Sequence, residues 1–434
     1  MKHKLIVITI SLLSLQPLLA QQSKTLTLKE AIDLSIANSK QLKLNEAKIL
    51  EASANIKEAE EKRLPDVGIS GSYLYLPVRP NINLKSDSSG GGGGPKVSQA
   101  FYGIASVSVP LYNGGKLKYG IESAQYLQQA LKLDADNDRE AVIINTINAC
   151  INLFKAREAI ALVKENLDQS NQRVKDLGNL EKNGLLARND LLKAQLQSSN
   201  IELTLLDAQS NYRLACVNMD LMMGLPEQTE LIPDRNGLAL PESVKTIDEY
   251  EQDALQNRND ISAMAIRKKA ADVNIKSIKT EYYPSIALTG GYVAADIPKF
   301  LSITNAVNVG IGVKYNLSSL WKTKTKLQGA EAKVKQIQAS QDMLNDNIRL
   351  QINQAYQNYV VSRKKIEVLE KSVEQATENY RITKNKFDNS LATTTELLDA
   401  DVALLQSKLS VTNAKADSFL AYNKILYAAG LLKN

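Results

Sequence analysis

Histidine is almost missing from this chain: there is one in 434 residues, His3, and it lies in what reads as a leader. Without an imidazole beyond it, neither a histidine-based catalytic triad nor a histidine metal site can be assembled. Cysteine is nearly as scarce. Cys150 and Cys216 stand alone, which excludes a CxxC redox or zinc motif. No nucleophile–base pair and no cluster of metal-ligating side chains stands out, so no enzymatic chemistry and no cofactor is expected. A charge of one sign is also lacking. Lys+Arg number 53 against 47 Asp+Glu, a formal charge of +6, of which Lys2 and Lys4 of the leader carry two. Spread over such a length, this is no footprint for nucleic acid.

Long apolar runs are absent too. Lys2 and Lys4 followed by an apolar stretch from Leu5 to Leu19 and by Ala20 read as a secretory signal, residues 1–20, cut before Gln21. An uncleaved anchor helix is the alternative, although the run is shorter than the ~20 residues that a span needs. No cysteine follows to carry a lipid anchor. Beyond the leader no stretch of 18 apolar residues occurs. The expectation is an exported protein without a transmembrane helix.

Proline draws the map. None of the eleven falls between 111 and 225, and none follows 298. Helix interiors exclude proline, which lacks the N–H and clashes with the preceding turn, so long helices belong in these gaps. Apolar spacing agrees. Ile160, Val163, Leu167, Ser170, Val174 and Leu177 alternate steps of three and four. So do Ile366, Leu369, Val373, Ala376, Tyr380, Thr383 and Phe387, and Leu192, Leu196, Ser199, Leu203 and Leu206. This is a heptad seam, the pattern of helices packed side by side. A helix over 116–177 would be roughly 90 Å long at ~1.5 Å per residue.

The chain also repeats itself. A shift of 219 places Asn38 on Asn257, Asn55-Ile56-Lys57 on Asn274-Ile275-Lys276, Pro65 on Pro284 and Tyr73 on Tyr292. Farther along the shift is 206, placing Asn183 on Asn389, Leu185 on Leu391 and Leu191-Leu192 on Leu397-Leu398. The 13 extra residues of the first copy fall around 85–96, where Gly90 to Gly94 mark a flexible loop tip. A tandem duplication accounts for this. The organisation predicted is a signal at 1–20, a first repeat at 21–223, a linker at 224–246 and a second repeat at 247–434. Each copy runs amphipathic helix (27–64 and 247–283), two strands, long helix, tight tip and returning helix. The fold class is mainly α with a small β part, built from tandem-duplicated long helical hairpins.

Val307, Val309, Ile311, Val313 and Tyr315 alternate with Asn308, Gly310, Gly312 and Lys314. Val107, Val109 and Leu111 alternate with Ser106, Ser108 and Pro110. With the runs at 67–76 and 285–295, these fit the ~9–11 residues of a membrane strand. Four strands cannot close a membrane barrel, since the smallest need ~8. Several copies must therefore share one. A sheet packed on its own helices is the other reading of the same pattern.

These residues resemble the outer-membrane efflux proteins, the TolC-like channels. The opening helix (Leu26-Thr27-Leu28-Lys29-Glu30-Ala31 with Asn38) and the strand-to-helix junction (Val109-Pro110-Leu111-Tyr112-Asn113-Gly114-Gly115-Lys116) are similar to that family. So are the two tips, Asn183-Gly184-Leu185 to Asp190-Leu191-Leu192 and Ser390-Leu391 to Glu396-Leu397-Leu398-Asp399-Ala400. The resemblance implies a homotrimer with a twelve-stranded β-barrel in outer-membrane lipid. It implies a trimeric α-barrel continuing from it into the periplasm of a Gram-negative bacterium. Such a duct is passive. It works with a periplasmic adaptor (membrane fusion protein) and an inner-membrane pump of resistance-nodulation-division, ABC or related type.

By the same resemblance a carboxylate ring at the entrance falls on Glu396 and Asp399, which share a helix face at i and i+3. Three copies would converge six carboxylates, attracting cations and repelling anions. Thr393 to Glu396 is equally a capping box. Phe387 stands where the family often has tyrosine, and Ala392 where it can carry a tip arginine. Gly184, Leu185, Ser390 and Leu391 fall where the adaptor would touch, or are simply turn residues. Cys150 and Cys216, equidistant from the first tip, fit either two buried free thiols or a disulfide, because equal height does not fix the Cβ direction. A different class of protein, a periplasmic coiled-coil adaptor or scaffold, shares the heptads and the export signal but has no use for the strand pairs.

Overall fold

The computed structural model describes residues 23–78, 97–234, 241, 243–298 and 301–432. The signal at 1–20 and the insertion at 85–96 lie outside the described residues. In chain order the elements are β1 (Ser23–Leu26), α1 (Leu28–Asn38), α2 (Lys40–Glu61), β2 (Asp66–Tyr75), β3 (Gln99–Tyr112), α3 (Lys116–Lys182) and α4 (Arg188–Met223). The linker holds β4 (Glu230–Pro233). The second copy follows with α5 (Ile247–Asn257), α6 (Asn259–Lys279), β5 (Ser285–Ile297), β6 (Leu301–Lys314), α7 (Ser319–Asp388) and α8 (Thr394–Ala428). The proline-free gaps are thus filled by helices of 67 and 70 residues, each followed by a return helix of 36 and 35.

These residues form two compact units. One draws on the described residues up to Leu44, on those from Ala135 to Asn259 and on those from Asn345 onward, the other on the described residues of Asn45–Asp134 and Asp260–Leu344. Each takes segments from both copies of the duplication.

In the first unit, α3 carries buried side chains on two sides. Ala149 and Leu153 join Leu26, Tyr212, Cys216, Met219, Met223 and Leu231. Ile143, Ile144, Ile147 and Ile151 join Ile32, Ala416, Phe419, Leu420 and Leu432. Leu26 and Leu231 arrive by a parallel pairing of β1 with β4, an element that the linker's prolines and glycines hide from sequence. Cys150 and Cys216 are both free thiols.

The single amphipathic helix expected at the start of each copy is two helices. The breaks fall at equivalent places, Ser39 and Arg258, both with extended backbone (ψ 118° and 126°). Neither carries a proline or glycine signal; the cause is tertiary. Asn38 Nδ2 donates to the Met223 carbonyl at 2.8 Å, and Arg258 Nη1 donates to the Ala428 carbonyl at 3.0 Å. Each break thereby lets a side chain satisfy the last turn of its own copy's return helix. The glycine that closes each return helix is left-handed, Gly224 at φ 70° and Gly430 at φ 66°. A Cβ on Gly224 would stand 2.9 Å from Asn38 Cγ.

The heptad positions hold on α3 and α7. Val163, Ser170 and Leu177 are buried, and Ile366, Leu369, Val373, Ala376, Tyr380, Thr383 and Phe387 are each half-buried. On α4 the leucine stripe departs from that pattern: Leu192, Leu196, Leu203 and Leu206 are exposed. Ala194, Ser198, Ile201, Ala208 and Tyr212 turn inward instead. Small residues let α4 approach its neighbours closely. The leucines are left to another surface.

In the second unit, β2, β3, β5 and β6 form one antiparallel sheet in that order, so that the two hairpins join through β3 and β5. Register places Val67, Val107, Gly290 and Val309 in one row and Ile69, Ala105, Tyr292 and Val307 in another. Rows on the opposite face read Gly68, Ser106, Gly291 and Asn308, then Asp66, Ser108, Thr289 and Gly310. A register shift falls between Pro110 and Tyr112, where proline has no N–H to give the ladder.

Candidate functional site

The two tips are one structure made twice. Leu185 N–H bonds the Leu180 carbonyl at 2.9 Å and Gly184 N–H that of Glu181 at 2.9 Å. At the second tip Leu391 N–H bonds Lys386 at 2.7 Å and Ser390 N–H bonds Phe387 at 2.9 Å. These are the paired bonds of a Schellman turn, which needs one left-handed residue. Gly184 (φ 73°) supplies it in the first copy and Ser390 (φ 61°) in the second. The turn leaves Leu185 and Leu391 projecting, 73% and 76% exposed.

The helices that leave the tips start differently. Ala187 makes no side-chain cap for α4, whereas Thr393 and Glu396 close a complete capping box on α8. Thr393 N–H donates to Glu396 Oε2 at 2.6 Å, and Glu396 N–H donates to Thr393 Oγ1 at 3.2 Å. The Thr393 amide, then its hydroxyl, and Lys386 at a distance hold the Glu396 carboxyl below the usual glutamate range. Glu396 is therefore a cap in this chain, and its charge persists to acidic pH. Asp399, one turn on, is exposed, as is Glu396, while Phe387 is half-buried.

Sequence reasoning missed an acidic residue that the fold buries near the second tip. Asp401 is 1% exposed, and its Oδ2 accepts from Arg173 Nη1 of α3 at 3.0 Å. The other arm of the guanidinium, Nη2, donates to the Tyr380 hydroxyl of α7 at 3.0 Å. Burial opposes the arginine's charge, but the hydrogen bond and charge of Asp401, helped by Tyr380, more than offset it and raise its pKa. One guanidinium thus ties α3, α7 and α8 together above the tips. The only signal in sequence was an arginine beside the α3 seam and a tyrosine on that of α7.

A second arginine of α3 pairs with a tyrosine of α4. Arg157 Nη1 donates to the Tyr212 hydroxyl at 3.0 Å, and that hydroxyl donates to the Leu231 carbonyl at 2.8 Å. Burial, with Cys216 nearby, pushes the Tyr212 phenol up to about 12 in spite of Arg157.

The sheet's own geometry makes the other site. On β6, Val307, Val309, Ile311 and Val313 are 68–79% exposed, and Val67 and Ile69 of β2 are 68% and 87% exposed. No helix of this unit covers them. Contiguous apolar exposure of this kind marks a surface meant for lipid or another protein. Among the described residues no helix is long and apolar enough to cross a membrane, and no cluster of His, Cys, Asp or Glu could hold a metal ion.

Known proteins share this arrangement. The family model described as outer membrane efflux protein matches residues 31–225 and 251–431, most of the chain and both copies. The outer membrane efflux protein BepC of Brucella suis biovar 1 is 21% identical over 323 residues, covering 74% of this chain and 70% of its own. Nodulation protein T of Rhizobium leguminosarum bv. trifolii is 24% identical over 382 residues, covering 84% of this chain and 75% of its own. Among solved structures, the outer membrane protein VceC of Vibrio cholerae superposes with a TM-score of 0.73 at 19% identity, covering 93% of this chain and 96% of that one. The duplicated hairpins, the four strands and these matches agree, and the chain belongs to the outer membrane efflux protein family, a family of outer-membrane channels and not of enzymes.

Proposed function

We propose that the chain is one third of a passive exit duct: a homotrimer whose three sheets close a twelve-stranded barrel in the outer membrane. The observation that carries this is the four-stranded sheet, which among the described residues has an uncovered apolar face and two free edges, β2 and β6. In lipid an open edge leaves backbone groups without partners. Four strands are too few to close alone, and three copies give an even-numbered barrel of ordinary size. The uncovered leucines of α4 support the same assembly, since a seam without a partner inside the chain suits a neighbouring copy.

The helices then continue the duct as an α-barrel into the periplasm. Glu396 and Asp399, repeated three times with Phe387 behind them, form a cation-preferring constriction. Leu185 and Leu391, lifted by Gly184 and Ser390, are the contacts for a periplasmic adaptor, which brings an inner-membrane pump of resistance-nodulation-division, ABC or related type. Efflux as the direction of transport is supported by family membership and by the name of the Brucella relative.

Planar-bilayer conductance tests the reading, with a Glu396→Ala/Asp399→Ala double variant beside the wild type. A small cation-preferring conductance that enlarges or loses selectivity in the variant supports duct and constriction together. An unchanged conductance removes the constriction. No conductance from folded protein removes the duct.

A further inference from the structure

The two strand-to-helix junctions, equivalent by duplication, have diverged. In the first copy Gly114 and Gly115 (φ 64° and 89°) turn β3 directly into α3. Between Asn113 and Tyr126 no large apolar side chain is exposed. In the second copy Leu317-Ser318-Ser319-Leu320-Trp321 replaces the glycines. Leu317, Leu320 and Trp321 are 63%, 54% and 63% exposed. With Lys324 they fall at i, i+3, i+4 and i+7, one stripe along the start of α7. The stripe follows in the chain directly on the apolar face of β6, which carries Val309, Ile311 and Val313, with half-open Tyr315 just past the strand's end.

The stripe is held rigidly. Asn316 Oδ1 accepts from the Ser318 amide at 3.2 Å and the Ser318 hydroxyl at 2.8 Å, which fixes the turn. On the opposite side of α7, buried Thr323 donates to Glu281 Oε2 at 3.4 Å, and Lys326 donates to the same oxygen at 2.7 Å. Lys116 reaches Glu281 Oε1 at 3.5 Å. Glu281 therefore pins one side of the first turns of α7, which sends Trp321 outward. Lys322 and Lys324 are exposed and, unlike Lys116 and Lys326, have no acidic partner among the described residues.

We propose that this junction is a lipid-headgroup anchor. Leu317, Leu320 and Trp321 lie in the interfacial layer of the leaflet that meets the helices, and Lys324, on the same stripe, binds the phosphate of anionic phospholipid there. The inference rests on the membrane reading of the strand face given above. Tryptophan favours this layer because its ring is apolar and its N–H is not. Lysine stems lie along the apolar surface while the ammonium reaches the headgroups. Charge complementarity and continuity with the strand face choose lipid over a second copy of the chain. The first junction, with no such stripe, rides along without anchoring.

Trp321 is the one tryptophan of the chain, so its fluorescence reports on the site directly. The full chain is reconstituted in phosphatidylcholine vesicles with or without phosphatidylglycerol, carrying nitroxides at the headgroup, high on the acyl chain or deep in it. Shallow nitroxides should quench Trp321 most, and deep nitroxides and aqueous acrylamide least. Its preference for spin-labelled phosphatidylglycerol over phosphatidylcholine should fall roughly fivefold for Lys324→Gln and hold for Lys322→Gln, whose side chain leaves α7 beside Lys326 and away from the stripe. Full quenching by acrylamide overturns the anchor. Shielding from acrylamide and lipid alike overturns it in favour of a neighbouring copy. Equal quenching by both lipids overturns the phosphate contact. Val309→Trp in a Trp321→Phe background separates the two levels: quenching there by deep nitroxides upholds the membrane reading whatever Trp321 does, and its failure removes that reading and the anchor with it.

Discussion

Asp401 and Arg173 are 228 residues apart in the chain and 3.0 Å apart in the fold, with Asp401 almost wholly out of solvent. Asp399, two positions earlier on the same helix, points the other way into solvent. Removing one partner of such a buried pair strands the other charge. Arg173→Leu or Asp401→Leu alone should cost about 3–5 kcal/mol, and the double variant should regain most of it. Denaturant unfolding of the four proteins as a double-mutant cycle checks this. Single variants within about 0.5 kcal/mol of wild type would show a pair without structural weight.

The tips differ in their left-handed residue. Ser390→Gly should stabilise the second tip by about 1 kcal/mol by lifting the Cβ penalty, and Gly184→Ala should destabilise the first by a similar amount. Limited proteolysis at each tip reads both effects. The reverse order of protection would mean that the turns are set from outside the chain.

Capping and constriction can be separated at Glu396. Thr393→Ala should cost the helix about 1 kcal/mol yet leave cation selectivity unchanged, because both carboxylates remain. Asp399→Asn should do the opposite. Reversal potentials in asymmetric salt, measured beside thermal melts, distinguish the two. Lost selectivity in Thr393→Ala would tie the cap to the constriction.

Asp220 is buried with neither carboxylate oxygen in a well-formed hydrogen bond. Burial raises its pKa to about 6, only partly opposed by the Thr229 amide. Between the unfolded value near ~3.9 and about 6, the folded chain holds the extra proton, so this residue's contribution to stability falls as pH rises. Asp220→Asn should stabilise by about 1–3 kcal/mol at pH 7 and leave stability at pH 4 almost unchanged. Melting curves of both proteins from pH 4 to 8 would show the gap opening through that window. A gap independent of pH would assign the effect to packing.

Both cysteines should alkylate in denaturant, two thiols per chain, and hardly at all in the native protein. Burial pushes the Cys150 thiol up to about 12 and raises that of Cys216, and the thiolate is the reactive species. Mass spectrometry after each treatment counts the labels. Rapid native labelling of Cys150 would place it on an open surface.

Much of the fold is legible in the sequence. Proline gaps marked α3 with α4 and α7 with α8, because proline's missing N–H forbids it in a helix interior. The alternation along β6 and β3 set their two faces, since strand side chains point to opposite sides in turn. The duplication placed Ser390 on Gly184, and the structure gives both the same turn.

What the sequence alone determined is therefore local and angular: where helices run, which stripe of each is apolar, which face of each strand is polar. A period specifies an angle about an axis and says nothing about the neighbour that the stripe will meet. Only the tertiary structure decided that the leucines of α4 face away from their own hairpin and that β3 pairs with β5. It also decided that α1 and α5 stop at Asn38 and Asn257, because the return helices need their last carbonyls satisfied there. Asp401 shows the same division most plainly. Whether a carboxylate is buried depends on whether a guanidinium from a distant helix arrives to meet it.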